Sequence, residues 1–175
     1  PALLNQGIYN YVYFHMLPSP GSIYGRLKKL PAAHYVDYHN GQCQVVNYWQ
    51  PAFSESTKGL TFKGLSSQLK KILRTSVENC LSDAGNVGSF LSGGLDSSTV
   101  TGLLAETGKR EAEAYTIGFS AEGYDEMAYA RITARHFDVK LNEYYVTPQD
   151  VVDALPMIAT SYDEPFGNSS ALPAY

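Results

Sequence analysis

Val87-Gly88-Ser89-Phe90-Leu91-Ser92-Gly93-Gly94-Leu95-Asp96-Ser97-Ser98 decides how the rest of this chain is read. A short apolar run, Val87 to Leu91, breaks at two glycines and passes into a helix-compatible segment from Ser97 to Thr107. Strand, glycine turn and helix in that order aim free backbone N–H groups and the positive end of a helix dipole at one point, where an anion is stabilised. Gly93 and Gly94 permit positive φ and close approach of a ligand to the backbone. Ser92, Ser97 and Ser98 add hydroxyl donors, so the expected ligand is a phosphate or pyrophosphate held without a local positive charge. Asp96 repels such a ligand unless a hard cation lies between them, and Mg²⁺ suits one carboxylate plus phosphate oxygens. The loop is not a Walker A motif, because the Gly-Lys-Ser/Thr ending is missing. A tight strand-to-helix turn, with glycines for packing and Asp and Ser for capping, is the competing reading.

Working outward, the 175 residues suffice for one domain, or for one domain and part of another. Hydrophobic residues make up 44% and charged ones 17%, which favours a packed core over disorder. A net charge of −4 gives no electrostatic footprint for nucleic acid, so an anionic ligand has to be met locally by N–H groups and a metal. Cys43 and Cys80 lie in unrelated contexts without Cys-x-x-Cys spacing; they read as free, packed thiols, not as a disulfide or zinc site. No signal peptide or run of membrane-spanning length is visible, and the cytoplasm is the simplest expected location. The chain begins at Pro1 and stops at Tyr175 inside a helix-like stretch, so it is expected to be an excerpt.

The first third is aromatic, with an apolar run from Ile8 to Met16 and a break at Pro18-Ser19-Pro20-Gly21. Two alternating segments flank Asn40-Gly41, the dipeptide suited to a type I′ turn, and predict a β-hairpin whose tyrosines serve packing. Ala52 to Gly64 reads as a linker, and Ser66 or Ser67 as the cap of an amphipathic helix carrying Leu65, Leu69, Ile72, Leu73, Val77 and Cys80. Asp83-Ala84-Gly85-Asn86 is expected to end it. Beyond the loop, Val100, Leu103 and Leu104 predict one apolar helix face and Gly108 a C-cap. A strand over 112–119 follows, then a helix capped by Asp125 with Met127, Ala130, Ala134 and Phe137 inward. A further strand over 141–146 leads to Thr147-Pro148-Gln149-Asp150, a helix start, and to a helix containing Pro156. Alternating strands and helices predict an α/β fold with a parallel sheet, whose ligands sit beyond the C-terminal strand ends. His15, His34, His39 and His136 have no nucleophile or carboxylate at catalytic spacing and read as surface or packing residues.

Phe90-Leu91-Ser92-Gly93-Gly94-Leu95-Asp96-Ser97-Ser98 resembles the pyrophosphate loop of the N-type ATP pyrophosphatases, and within them that of the glutamine-hydrolysing asparagine synthetase family. Tyr115-Thr116-Ile117-Gly118-Phe119, Tyr124-Asp125-Glu126 with Tyr129-Ala130, and Asp163-Glu164-Pro165-Phe166 followed by Ser170-Ala171-Leu172-Pro173-Ala174-Tyr175 are similar to later motifs of that family. Lys29-Leu30-Pro31-Ala32-Ala33-His34-Tyr35 and Tyr48-Trp49-Gln50-Pro51 resemble the end of its glutaminase domain, with Ala32-Ala33 where the family usually has Pro-Gly.

The resemblance implies a parallel-sheet PP-loop fold of the adenine nucleotide alpha-hydrolase type over 56–175, preceded over 1–55 by a β-rich remnant of an Ntn-type glutaminase domain. It also implies that Phe90 and Ile117, with Leu91 and Gly118 beside them, border adenine. Ser92, Gly93, Gly94, Ser97 and Ser98 then fall on the pyrophosphate and Asp96 on Mg²⁺. The adjacent carboxylates Asp163 and Glu164, before Pro165, read either as a turn and helix stop or, at the strand-end side of the sheet, as groups that orient the acceptor's amino group. The implied partners are ATP, an aspartate-like acid and glutamine-derived ammonia, with no nucleic acid and no membrane, and with room for a homodimer. The implied reaction is adenylation of the acid, release of pyrophosphate and displacement of AMP by ammonia. A β-lactam-forming cyclase, another amidotransferase on a larger acid, or a nucleotide-binding fragment without turnover are the alternatives. The family's N-terminal nucleophilic Cys and its second metal-binding Asp loop have no counterpart here, so residues 1–175 alone are expected to be inactive.

Overall fold

The computed structural model describes residues 2–53, 59–81, 86–108, 111–120 and 125–175. They divide into two compact units, one of Thr57–Asp150 and one of Pro1–Ser56 with Val151–Tyr175.

In the first-named unit, helix α2 (Phe62–Cys80) begins before the expected serines, because Thr61 is its cap and accepts the Gly64 N–H on Oγ1 at 3.1 Å. Phe62 is 88% exposed, so the first turn carries no periodic apolar signal. The linker expected over 52–64 therefore gives its last three residues to the helix; residues 54–58, like the expected helix end at 83–85, lie outside the described residues. Strands β3 (Gly88–Phe90), β4 (Glu113–Phe119) and β5 (Lys140–Val146) form a parallel sheet in that order, as the alternating pattern requires. The loop segment leads from β3 into α3 (Leu95–Glu106), and α4 (Met127–Phe137) joins β4 to β5.

The core lies on one face of this sheet, where Leu91, Leu104, Ala114, Ala130, Ala134 and Val139 are buried and Val77, Leu81, Phe137 and Leu141 pack against them. Met127, Ala130 and Ala134 turn inward as their spacing predicts. The buried face of α3 differs from expectation. Val100 is 45% exposed, while Thr101, Gly102 and Leu104 are buried. The cause is close approach: the Phe137 ring lies on Gly102, where a Cβ would stand 2.5 Å from Cζ. Thr101, fully enclosed, meets the Ser89 hydroxyl of β3 at 2.9 Å, so the polar groups satisfy each other.

The other sheet face carries Phe90, Tyr115, Ile117 and Tyr144. At its start Glu113 accepts hydrogen bonds from Lys140 at 2.9 Å, Tyr115 at 3.0 Å and Asn142 at 3.2 Å. These bonds, Lys140's foremost, hold the Glu113 carboxyl below its usual range.

The second unit opens with α1 (Asn5–Phe14), for which the sequence supplied only an aromatic, apolar run. Strands β1 (His34–His39) and β2 (Gln42–Asn47) pair antiparallel across Asn40 and Gly41, both at positive φ (49° and 79°), which is the expected type I′ geometry. The hairpin tyrosines are not core: Tyr35, Tyr38 and Tyr48 are exposed, and only Tyr35 and Tyr48 meet across the pair, at 6.4 Å between ring centroids. A two-stranded ribbon cannot enclose both of its faces. Cys43 and Cys80 are likewise exposed free thiols, not packed ones, because β2 is uncovered and α2 ends at Cys80.

Helix α5 (Pro148–Ser161) starts as the sequence predicts. The Asp150 N–H donates to Thr147 Oγ1 at 3.2 Å, while its carboxylate accepts from the Thr147 N–H at 2.7 Å, a reciprocal cap. Pro156 is accommodated inside it, and α6 (Ala171–Ala174) ends the chain.

Ala33, in the place where the resemblance has Gly, sits at φ +58°. An L-residue there is strained by about 1 kcal/mol. Ala33→Gly is therefore expected to stabilise the protein by somewhat less than that, since Gly also loses more backbone entropy on folding. Denaturant unfolding of the two proteins side by side measures the difference.

Candidate functional site: the glycine loop after β3

The loop is built by its own side chains. Ser97 Oγ donates to the Gly94 carbonyl at 3.3 Å and receives the Ser92 N–H at 3.3 Å; the two serine hydroxyls lie 3.0 Å apart. Ser92 Oγ in turn accepts the Gly94 N–H at 3.3 Å. Ser98 reaches the other way, to Thr133 Oγ1 of α4 at 3.0 Å. The loop shape is thus set before any ligand arrives.

The two glycines do different things. Gly93 is at φ +85°, and a Cβ there would stand 2.5 Å from Tyr129 Cβ and 2.7 Å from the Ala130 nitrogen, so the loop rests directly on the start of α4. Gly94 is not at positive φ, contrary to the expectation from sequence. Its φ is −70° and ψ is 166°, which any residue adopts, and a Cβ would meet only Ser92 Oγ at 3.4 Å. Neither backbone nor packing requires glycine at 94. A side chain there would fill the space in front of the first turn of α3. Gly94 is also the N-cap of α3 and supplies no side chain to satisfy that turn's N–H groups.

Asp96 stands at the second position of α3, exposed, with no hydrogen-bond or ion-pair partner among the described residues. It is therefore not the helix cap, which lies two residues earlier. Among the described residues no three acidic, His or Cys side chains gather as a metal cage. The Asp96 carboxylate is the kind of oxygen ligand that Mg²⁺ takes, while loop N–H groups and the two serine hydroxyls are hydrogen-bond donors suited to phosphate oxygens.

The remaining sequence candidates are distributed as follows. Phe90, 70% exposed, pairs with Tyr115, and Ile117 lies two residues farther on the same face. The Leu91 side chain is in the core, at 2% exposure, and its N–H donates to the Tyr115 carbonyl at 2.8 Å. Gly118 is buried beneath Tyr145 and Asp125: a Cβ would meet Tyr145 Cε1 at 2.6 Å and Asp125 Oδ1 at 2.8 Å. Asp125 does engage the helix start, accepting the Met127 N–H at 3.3 Å. Asp163 and Glu164 belong to the unit formed with the chain's N-terminal residues. Their carboxylates differ in kind. Asp163 is exposed and has no partner among the described residues, whereas Glu164 is paired with Lys29 at 2.7 Å. Lys29 and Thr133 are the contacts that sequence reasoning missed, each lying far along the chain from its partner.

A parallel α/β sheet with a preformed glycine loop opening a helix is an arrangement suited to an anion at the helix N-terminus. Residues 68–175 match the asparagine synthase family, and the chain belongs to it. Among curated relatives, a putative glutamine-hydrolysing asparagine synthetase 2 of Methanocaldococcus jannaschii is 32% identical over 94% of this chain and 32% of its own length. Asparagine synthetase [glutamine-hydrolyzing] 1 of Bacillus subtilis is 24% identical over 97% of this chain and 27% of its own. The chain thus spans about a third of the length of these relatives. Among solved structures, an NH3-dependent NAD synthetase from Campylobacter jejuni aligns at 17% identity with a TM-score of 0.39, covering 65% of this chain and 46% of that one. No described helix is long and apolar enough to cross a membrane.

Proposed function

We propose that this chain is the ATP-binding part of a ligase that adenylates a carboxylic acid, with aspartate as the acid of choice, and amidates it with ammonia drawn from glutamine. The observation that carries the reading is Gly94, a glycine that neither conformation nor packing demands, in front of an uncapped first helical turn. Family membership and relatives named as glutamine-hydrolysing synthetases support the same reaction class. The same relatives align across nearly the whole chain, which supports assigning residues 1–55 to the end of a glutaminase domain and 56–175 to the start of the synthetase domain.

In this reading the Gly94 gap and the first-turn N–H groups hold the β- and γ-phosphates of ATP, with Ser92 and Ser97 fixing the loop. Phe90 and Ile117 border the adenine from one sheet face. Asp96 would hold Mg²⁺, which supplies charge neutralisation for the departing pyrophosphate. An oxygen of the acid attacks the α-phosphorus and the bond to the β-phosphate bridge breaks; ammonia then attacks the acyl carbon, loses a proton and displaces AMP. Little covalent work falls to the protein, so positioning and electrostatic stabilisation dominate. Asp163, whose carboxylate is free, is the residue assigned to the acceptor's ammonium group.

Incubating the full-length protein with ATP, Mg²⁺, aspartate and ammonia is expected to yield AMP and pyrophosphate in equal amounts. Omitting Mg²⁺ is expected to abolish both. ADP and orthophosphate as products would overturn the reading.

A further inference from the structure

Two hydroxyl pairs tie α3 to its surroundings. Thr101 meets Ser89 of β3 at 2.9 Å, and one turn earlier Ser98 Oγ lies 3.0 Å from Thr133 Oγ1 of α4. Ser98 and Thr133 are both half-buried, so loss of either hydroxyl leaves the other short of a partner where water is scarce. Helix α4 is a fixed reference for that bond. Its Met127, Ala130 and Ala134 are buried, and Gly93 rests on Tyr129 and Ala130. Thr133 lies one turn farther along, so the loop and the helix it opens are seated on α4 at two successive points.

Ser98 is also where the hydrogen-bond ladder of α3 begins. Its N–H donates to the Gly94 carbonyl at 3.0 Å, whereas the amides of Leu95, Asp96 and Ser97 precede the ladder and have no acceptor within the helix. Asp96 stands two residues earlier, about 200° around the helix from Ser98, and is exposed. With Ser98 pinned against α4, the rotation of the first turn is set, and so is the direction of the Asp96 carboxylate on the opposite side.

We infer that Thr133 is a positioning residue of the proposed nucleotide site: through Ser98 it fixes the first turn of α3, and with it the direction in which Asp96 presents its carboxylate to Mg²⁺. This rests on the ligase reading above. Ser98 is then an anchor between two helices and not a ligand of the pyrophosphate, unlike Ser92 and Ser97, whose hydroxyls face each other within the loop.

In the full-length protein, Thr133→Val removes the hydroxyl and keeps the branched shape. It is expected to lower kcat for AMP and pyrophosphate formation by about tenfold, less than the hundredfold or so that a misplacement of 1 Å can cost. The Mg²⁺ concentration for half-maximal turnover should rise by about threefold or more, with the KM for ATP within about twofold of the parent, because the loop amides remain. Thr133→Ser, which restores the hydroxyl, is expected to recover most of the lost turnover. Ser98→Ala should reproduce the Thr133→Val profile, and the double variant should be no worse than either single one, since both remove the same bond. Additive losses, or a Ser98→Ala protein with a raised KM for ATP and parent kcat, overturn the anchor. So does a Thr133→Val protein that melts lower yet keeps the parent kcat and Mg²⁺ demand. If Thr133→Val does not fold, Ser98→Ala carries the test on the same readouts. Parent protein that forms no AMP and pyrophosphate from ATP, aspartate and ammonia overturns the ligase reading instead. The anchor is then judged by hydrogen exchange at the Ser98 amide: faster exchange in Thr133→Val, restored in Thr133→Ser, supports it, and equal rates in all three proteins overturn it.

Discussion

Asp96→Asn in the full-length protein is expected to cut kcat by about a hundredfold or more, the scale on which one preorganised electrostatic contact acts. ATP affinity should change far less, because the loop N–H groups and the proposed adenine contacts of Phe90 and Ile117 remain. The melting temperature should move by no more than about 2 °C, since an exposed first-turn carboxylate adds only a modest interaction with the helix dipole. The geometry sharpens this test. Gly94 is the N-cap and Asp96 stands two positions later, with no partner among the described residues, so its charge is not consumed by capping. Asn retains the size and one acceptor oxygen but removes the charge that makes a hard-cation ligand. Steady-state kinetics beside a thermal melt read both quantities. Near-normal turnover would remove Asp96 from the metal site, and a large fall in melting temperature would make it structural.

Alanine at the two loop glycines should separate folding from binding. Gly93→Ala forces a Cβ to 2.5 Å from Tyr129 at φ +85°, a clash with backbone as well as side chain. A loss of about 2 kcal/mol or more is expected, with ATP turnover lost because the loop lifts off α4. Gly94→Ala, by contrast, adds a methyl at an allowed φ of −70° with only Ser92 Oγ nearby. The fold should tolerate it, with a small cost from the poorer cap. The KM for ATP should nevertheless rise by about tenfold or more, as the methyl takes the place of a phosphate oxygen and loses its N–H contacts. Nucleotide titration and denaturant unfolding of both variants give the comparison. Equal effects at both positions would mean that the loop is only a packing turn.

What the sequence determined by itself was local. The loop and its helix, the type I′ hairpin at Asn40-Gly41, the Thr147–Asp150 helix start and the parallel β-α alternation all follow from spacing, turn chemistry and capping, which act over a few residues. The tertiary structure decided everything that depends on a distant partner. Gly93 and Gly94 are indistinguishable as letters, and only the packing of Tyr129 against one of them separates their roles. The buried face of α3 runs through Thr101 and Gly102, not Val100, because Phe137 and Ser89 supply a ring and a hydroxyl that no helical periodicity announces. Lys29 finds Glu164 across 135 residues of chain, a separation over which charge pattern carries no signal. Cys43, Cys80 and the hairpin tyrosines read as packed because apolar and aromatic residues usually are; they are exposed because the elements that carry them leave those faces uncovered in this chain.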